Sequence, residues 1–333
     1  MLQFPTHARN PMVVITGAAG FIGSGLVARC CVEGRVPVAA VEELGSDQRF
    51  QSLARAPIAD FWGSAEFLER IEAKGASALP RIAAILHLGA CTSTTEQDAD
   101  FLMRNNFAYT RTLAEWCLRR GVRFIYASSA ATYGDGACGY GDDLAGISRL
   151  RPLNKYAFSK HALDLWALNS GAFEGPGAIT GLKYFNVYGP NESHKGDMRS
   201  MVLKAYEQIQ ATGRVRLFKS YRPGIADGEQ TRDFLFVDDA AAATAWFLDH
   251  PEATGIFNIG SGVARSWNDL ARAVFAALGR EPEIEYVEMP EAIRAAYQYS
   301  TCADITRLRA AGCTIPFRSL EDGVRDYVAH LLA

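Results

Sequence analysis

The chain has 333 residues, enough for a large domain with a smaller annex. It is 49% hydrophobic and 21% charged, the balance of an ordinary globular protein. A formal net charge of -3 offers no basic field for nucleic acid, and no uninterrupted apolar run is long enough to cross a bilayer. The opening "MLQFPTHARNP" has no apolar h-region and reads as a short polar leader, not a signal peptide. Seven cysteines are scattered without a CxxC pair, which fits reduced thiols in a cytoplasm better than a disulfide framework or a zinc site. His87 and Cys91 stand four apart but lack partners, so no metal is expected.

In chain order, "MVVITG" (12–17) is a β-branched run stopped by glycine, and "FIGSGLVARCCVEG" (21–34) follows with helical spacing. "VPVAAVEEL" (36–44) is a second strand ending in acids. "RIAAILHLGA" (81–90) and "RFIYASSA" (123–130) are buried strands on either side of a helix over 98–121. A helix over 153–171 follows, with Phe158, Leu165 and Trp166 expected on its packed face and Gly171 as its stop. "ITGLKYFNVYG" (179–189) reads as one strand. Glycine, proline and charge dominate 190–232, broken by a helix near 198–212; strand-helix-strand rhythm then returns over 233–262. The tail carries a helix at 266–279, a strand-like "EIEYVEM" and a last helix from 319. Continuous apolar strands alternating with helices predict an α/β fold of the Rossmann type. It is a doubly wound parallel sheet, with a smaller substrate domain interleaved toward the C-terminus. The expected division is 1–189 with 233–262 for the dinucleotide, and 190–232 with 263–333 for the substrate. Trp62, Trp116, Trp166 and Trp246 are expected in packing.

"TGAAGFIG" sets Gly17, Gly20 and Gly23 where the first strand turns into the first helix, a context that predicts a dinucleotide site. Glu42 and Glu43 end the second strand, where acids grip ribose hydroxyls and favour NAD; Arg49 is near enough in sequence to hold a 2′-phosphate instead. Either cofactor remains open on these residues. Tyr156 and Lys160 stand at i and i+4 on one helical face. An ammonium beside a phenol, together with a positive nicotinamide, lowers the phenol's pKa toward that of a usable base. Ser129, at the end of a strand, is set to bond the same substrate oxygen. These parts predict hydride transfer at a carbinol carbon.

The segments "HLGACTSTTEQD", "YASSAATYGDG", "RPLNKYAFSK", "KYFNVYGPNESHKGDM", "RDFLFVDD" and "GIFNIGSG" together resemble the ADP-L-glycero-D-manno-heptose 6-epimerases, extended short-chain dehydrogenase/reductases. The resemblance runs from about 12 to 330. It implies a tightly bound NADP or NAD that stores a hydride while C6″ of the heptose is oxidised and reduced again on its other face. It also implies a nucleotide-diphospho-sugar substrate, a homo-oligomer and the heptose of a lipopolysaccharide inner core as end product. Tyr156 would serve one substrate pose and Lys195 the other as base, with His194 structural.

By the same resemblance Phe21, Ile22, Leu88, Gly89, Ala90, Cys91, Thr92, Asn105, Lys160 and Val187 match cofactor contacts. Asn186, Phe218, Arg232 and Tyr297 match substrate contacts. Asp197 and Lys204 stand where serine and histidine are common, and Ser64 where lysine is common; the 219–231 loop is long. Glu42-Glu43 and Ser64 argue against NADP, which the resemblance otherwise favours. Another nucleotide-sugar epimerase, dehydratase or reductase is the alternative. A dehydratase needs an added carboxylate, and Ala130 and Ala131 do not supply one. A non-catalytic dinucleotide sensor is disfavoured by the retained Ser129, Tyr156 and Lys160.

Overall fold

A computed structural model describes residues 11–35, 37–73, 79–294 and 297–333. The polar leader through residue 10 lies outside the described residues, as does Val36, the first residue of the expected second strand. The chain opens with β1 (Met12–Thr16), α1 (Phe21–Val32), β2 (Val38–Val41), β3 (Asp60–Trp62), α2 (Ser64–Glu72) and β4 (Ile82–His87). The helical stretch that follows is α3 (Ala99–Leu102), a π-helical turn over Met103–Ala108, and α4 (Tyr109–Arg120). Then come β5 (Arg123–Ser129), α5 (Lys155–Asn169), β6 (Thr180–Tyr184) and β7 (Asn186–Tyr188).

Next are α6 (Met201–Thr212), β8 (Val215–Phe218), β9 (Thr231–Phe236), α7 (Val237–Asp249) and β10 (Gly255–Ile259). The tail holds β11 (Ala264–Ser266), α8 (Trp267–Ala277), β12 (Ile284–Val287), α9 (Glu291–Arg294), α10 (Thr306–Ala310) and α11 (Leu320–Leu332).

Seven strands form one parallel sheet in the order β10-β6-β5-β4-β1-β2-β3. Every residue of β1, β2, β6 and β10 is buried, as the unbroken apolar runs require of strands covered on both faces. Alternation sends Ile15, Leu86, Ile125 and Leu182 toward α1 and α7. Val14, Ile85, Phe124 and Tyr126 go to the other face, against α2, α4 and α5. The doubly wound sheet expected from the sequence is therefore present. A third core joins α6, α8 and α11 through Leu203, Phe275 and Tyr327, with Phe234 and Phe236 of β9 beneath them.

Two expectations change. The run 179–189 is two strands, because the chain switches sheets at Phe185, whose N–H bonds Ile259 O at 3.0 Å. β7 then pairs with β9, which also pairs with β11, in a separate three-stranded sheet of order β11-β9-β7, while β8 and β12 form a two-stranded one. On α5 the packed face is Tyr156, Lys160, Leu163, Asp164 and Ala167, spaced by one helical turn. Phe158 lies off that face and is 52% exposed, whereas Leu165 and Trp166, half-buried at its edge, pack against the core as expected.

α1 crosses β1 closely only because Gly23 has no side chain: a Cβ there would lie 1.9 Å from Gly17 O. Gly23→Ala should therefore cost at least about 3 kcal/mol in urea unfolding, because backbone must move to relieve the overlap.

Candidate active site

The strand order reverses between β1 and β4, and the loops leaving these strands open a crevice there. Gly17 sits at φ +68, and a Cβ on it would be 2.6 Å from Gly89 N. The two loops thus touch backbone to backbone. Gly20 caps α1 without any side-chain bond, which leaves the first N–H groups of the helix free for an anion.

Glu42 folds back over this turn, its Oε2 accepting from Ala19 N–H at 3.1 Å. Burial raises the pKa of its carboxyl, opposed by the backbone bonds it receives and by Arg49. Glu43 is turned elsewhere, accepting from Ser64 N–H at 2.7 Å at the start of α2. Arg49 forks onto Asp47, with bonds of 2.9, 2.9 and 2.6 Å, and stands 3.8 Å from Glu42. The bonds from Arg49 hold the Asp47 carboxyl down at about 2.

A buried polar chain fixes the second loop. Thr110 Oγ1 donates to Asn106 O at 2.6 Å, so it accepts from His87 Nε2 at 2.8 Å. His87 Nδ1 then accepts from Thr16 Oγ1 at 2.6 Å, and Thr16 accepts from Gly89 N–H at 3.3 Å. His87 is a neutral core residue, its pKa driven down to about 3 by burial and by Lys160. Asn106 is fully buried in the π-turn and holds both the N–H and the C=O of Cys91 at 2.9 Å. It also donates to Ser159 Oγ at 3.0 Å, which ties the 88–92 loop to α5. Asn105 beside it bonds Asn106 Oδ1 at 3.0 Å. Leu88, Gly89, Ala90 and Cys91 are half-buried along this wall, whereas Thr92 is exposed.

α5 begins where Asn154 accepts from Ala157 N–H at 2.8 Å. Its first turns carry Tyr156 and Lys160 into the interior. The Ser129 hydroxyl bonds the Tyr156 phenol, but burial outweighs that bond and raises the phenol's pKa. Lys160 donates to Ala127 O at 2.9 Å, and burial pulls its own pKa down to about 8. One turn further, Asp164 pairs with Lys183 at 3.0 Å, both at most 1% exposed. Tyr126 and Ser128 each donate to Asp164 at 2.8 Å, so every oxygen of this buried charge is satisfied.

Lys195 reaches back across the crevice, its Nζ lying 4.9 Å from the Phe21 ring centroid. Burial lowers its pKa, with Glu192 opposing. His194 beside it is near Asp47 and Arg49, so this loop spans the glycine turn and the segment after β2. Met198 meets Thr94 of the opposite loop at 3.6 Å. Behind Lys195 lies a cavity of about 390 Å³ lined by Asn186, Val187, Lys204, Phe234 and Trp267 among others.

Arg232 is buried between two rings, 5.3 Å from the centroids of Trp267 and Tyr297. Trp267 Nε1 donates to the Tyr297 hydroxyl at 3.0 Å. Among the described residues no carboxylate lies within ion-pairing reach of Arg232, so this buried cation lacks a counter-ion. Phe218 is half-buried at the end of β8. Asp197 is exposed, and its C=O accepts from Lys204 Nζ at 2.7 Å. A larger cavity of about 560 Å³ lies on the outer side of α1, between Arg29 and Arg318, and contains none of the predicted site residues.

Residues 13–260 match the family model described as the NAD dependent epimerase/dehydratase family. A protein of Nitratidesulfovibrio vulgaris named ADP-L-glycero-D-manno-heptose-6-epimerase is 48% identical, over 97% of this chain and 98% of its own. One of the same name from Alkalilimnicola ehrlichii is 45% identical, over 95% and 96%. The chain belongs to the ADP-L-glycero-D-manno-heptose-6-epimerases of the NAD-dependent epimerase/dehydratase family.

The Helicobacter pylori heptose epimerase crystal structure covers 100% of both chains with a TM-score of 0.78 at 27% identity. The Thermus thermophilus UDP-glucose 4-epimerase, solved with NAD, covers 97% of this chain and 99% of its own with a TM-score of 0.76 at 26% identity. This heptose epimerase is thus an NAD(P)-dependent enzyme of the sugar-nucleotide epimerase type. The crevice fits that cofactor: the glycine contact admits a backbone-hugging pyrophosphate, and the uncapped α1 N-terminus faces it.

Sequence reading missed Trp267, Asn106, Asp164, Lys183 and Glu192. Asp164 had a signal, since it continues the i, i+4 series of Tyr156 and Lys160. The others carry no local mark.

Lys183→Met should destabilise the protein by about 3–5 kcal/mol, because Asp164 is left buried without its partner. Adding Asp164→Asn should restore most of that loss in guanidinium unfolding. Stability should also fall as pH drops from about 6.5 toward about 3. In that window unfolded His87 binds a proton that the folded form refuses. His87→Gln should flatten this part of the stability-versus-pH curve.

Proposed function

We propose that this chain inverts C6″ of ADP-D-glycero-D-manno-heptose to give ADP-L-glycero-D-manno-heptose, with Tyr156 and Lys195 as the two bases. The observation that carries this reading is a second lysine, its pKa lowered, at the glycine turn and across the crevice from the Tyr156–Lys160 helix. When bound, the nicotinamide supplies a hydride acceptor and donor and a positive charge beside the phenol. In one pose Tyr156 takes the proton of the C6″ hydroxyl while Ser129 bonds the same oxygen. In the other pose Lys195 exchanges the proton on the opposite face, a task suited to an ammonium that burial has made easier to deprotonate. Lys160, held by Ala127 O, keeps a cation beneath Tyr156.

Arg232 lacks a counter-ion and is walled by Trp267 and Tyr297, which suits a fork onto the diphosphate. Asn186 and Lys204, which line the cavity behind Lys195, would border the sugar; Phe218 and Asp197 join them by resemblance alone. Gly17, Gly20, Phe21, Ile22, Gly23, the 88–92 loop, Asn105 and Val187 would hold a tightly retained dinucleotide, with Glu42 at its ribose. The division into 1–189 with 233–262 and 190–232 with 263–333 follows this separation of cofactor from sugar.

A homo-oligomer is the expected assembly, and Phe101 and Phe158, exposed on the packed α3–α5 pair, supply rings for a contact. No described helix is long and apolar enough to cross a membrane. A cytoplasmic role in supplying heptose for lipopolysaccharide completes the reading.

Incubated with ADP-D-glycero-D-manno-heptose and no added cofactor, the protein should invert C6″ without net change in reduced-nicotinamide absorbance. Steady build-up of reduced cofactor, or loss of water from the sugar, would overturn the proposal. Tyr156→Phe and Lys195→Met should each slow inversion by roughly 10²–10⁴-fold while the purified protein keeps its dinucleotide.

A further inference from the structure

The loop that carries Lys195 has an unusual backbone. Gly189 has φ +142, Asn191 φ 70 and Gly196 φ 53, so three of its residues occupy the left-handed side of conformational space. Asn191 pays a steric penalty there that glycine would not. Such a conformation persists only where surrounding bonds over-determine it.

One side chain supplies most of those bonds. Glu192 is fully buried, with 0% exposure, three residues before Lys195. Its Oε1 accepts from Gly189 N–H at 3.3 Å, where the loop leaves β7. The same oxygen accepts from Ser200 Oγ at 2.6 Å, and Oε2 accepts from Ser200 N–H, where the loop enters α6. The Tyr327 hydroxyl of α11 also bonds this carboxylate. Glu192 O accepts from Lys195 N–H at 3.0 Å. A buried carboxylate with no cation bonded to it is costly, and this one is compensated by donors at the two ends of the loop and by the Tyr327 hydroxyl.

We propose that Glu192 is the positioning residue for Lys195. It draws the loop's entry at Gly189 and exit at Ser200 onto one carboxylate, and so sets Lys195 against Phe21 at the mouth of the crevice. The inference rests on Lys195 as the second base. Among the described residues Glu192 bonds neither the aromatic walls around Arg232 nor the Tyr156 helix; its bonds run to the loop that carries Lys195, to Ser200 at its exit and to Tyr327.

A double-mutant cycle on the purified enzyme with its retained dinucleotide tests this. Glu192→Gln keeps the shape but places a donor against the Ser200 donors. It should lower kcat for C6″ inversion by about 100-fold, the cost of a misplaced reacting group, with little change in KM and unchanged dinucleotide content. In a Lys195→Met background the same change should alter the residual rate by less than about twofold, since a residue acting through Lys195 has nothing left to position.

Full multiplication of the two losses would overturn the inference, because Glu192 would then act independently of Lys195. Near-normal turnover by Glu192→Gln beside an inactive Lys195→Met would overturn it too, while leaving the two-base reading intact. Near-normal turnover by Lys195→Met would remove the two-base reading and the inference with it. If Glu192→Gln does not fold, Ser200→Ala removes only the hydroxyl at the loop's exit. It should lower kcat severalfold with the same non-additivity toward Lys195→Met.

Discussion

The contact between Gly17 and Gly89 governs how this site is built. Two loops leave neighbouring strands at the point where the sheet reverses its order, and they meet backbone to backbone because neither carries a side chain there. That contact sets the floor of the crevice. From it, α1 projects its uncapped N-terminus on one side, and the 88–92 loop runs past the Tyr156 phenol on the other. The Thr16–His87–Thr110 chain then carries the position of Gly89 into the π-turn, and Asn106 passes it to Cys91 and to Ser159 on α5. Glycine turn and α5 are thereby joined through groups whose donors and acceptors are matched along the chain.

Electrostatics inside the site are balanced by burial more than by pairing. Lys160 and Lys195 each lose solvent without gaining a bonded carboxylate, so both ammonium groups sit closer to their neutral forms than a surface lysine does. Asp164 lies one turn below Lys160, but its oxygens are committed to Lys183, Tyr126 and Ser128. Arg232 lies buried between two aromatic faces with no carboxylate in ion-pairing reach among the described residues. Among the described residues, Lys160, Lys195 and Arg232 are thus three largely buried cations without a bonded carboxylate, a concentration of charge that suits anionic ligands.

Much of this was legible beforehand. The glycine spacing, the acids after the second strand, the Tyr156–Lys160 pair and the HKG loop all stand in short segments, because each depends on local geometry: a turn, one helical repeat, a loop between two elements. What misled was also local. Of the apolar residues expected on the packed face of α5, Leu165 and Trp166 do lie against the core, but Phe158 faces outward, because the innermost face goes to Tyr156, Lys160 and Asp164. The run 179–189 looked continuous, since nothing in its composition marks Phe185 as the residue that leaves one sheet for another.

The sequence by itself determined the fold class and the nicotinamide type of cofactor, and it set Tyr156 and Lys160 on one helical face, since periodicity and turn residues act over a few neighbours. Only tertiary structure decided which acid stays over the glycine turn, which cation lacks a counter-ion, and what holds Lys195 in place. Glu42 and Glu43 are adjacent in sequence but face a glycine turn and a helix start, respectively. Arg232, Trp267 and Tyr297 come from three separate segments. Those choices rest on contacts between residues far apart in the chain, where burial and the supply of donors decide each partner and no local pattern marks it.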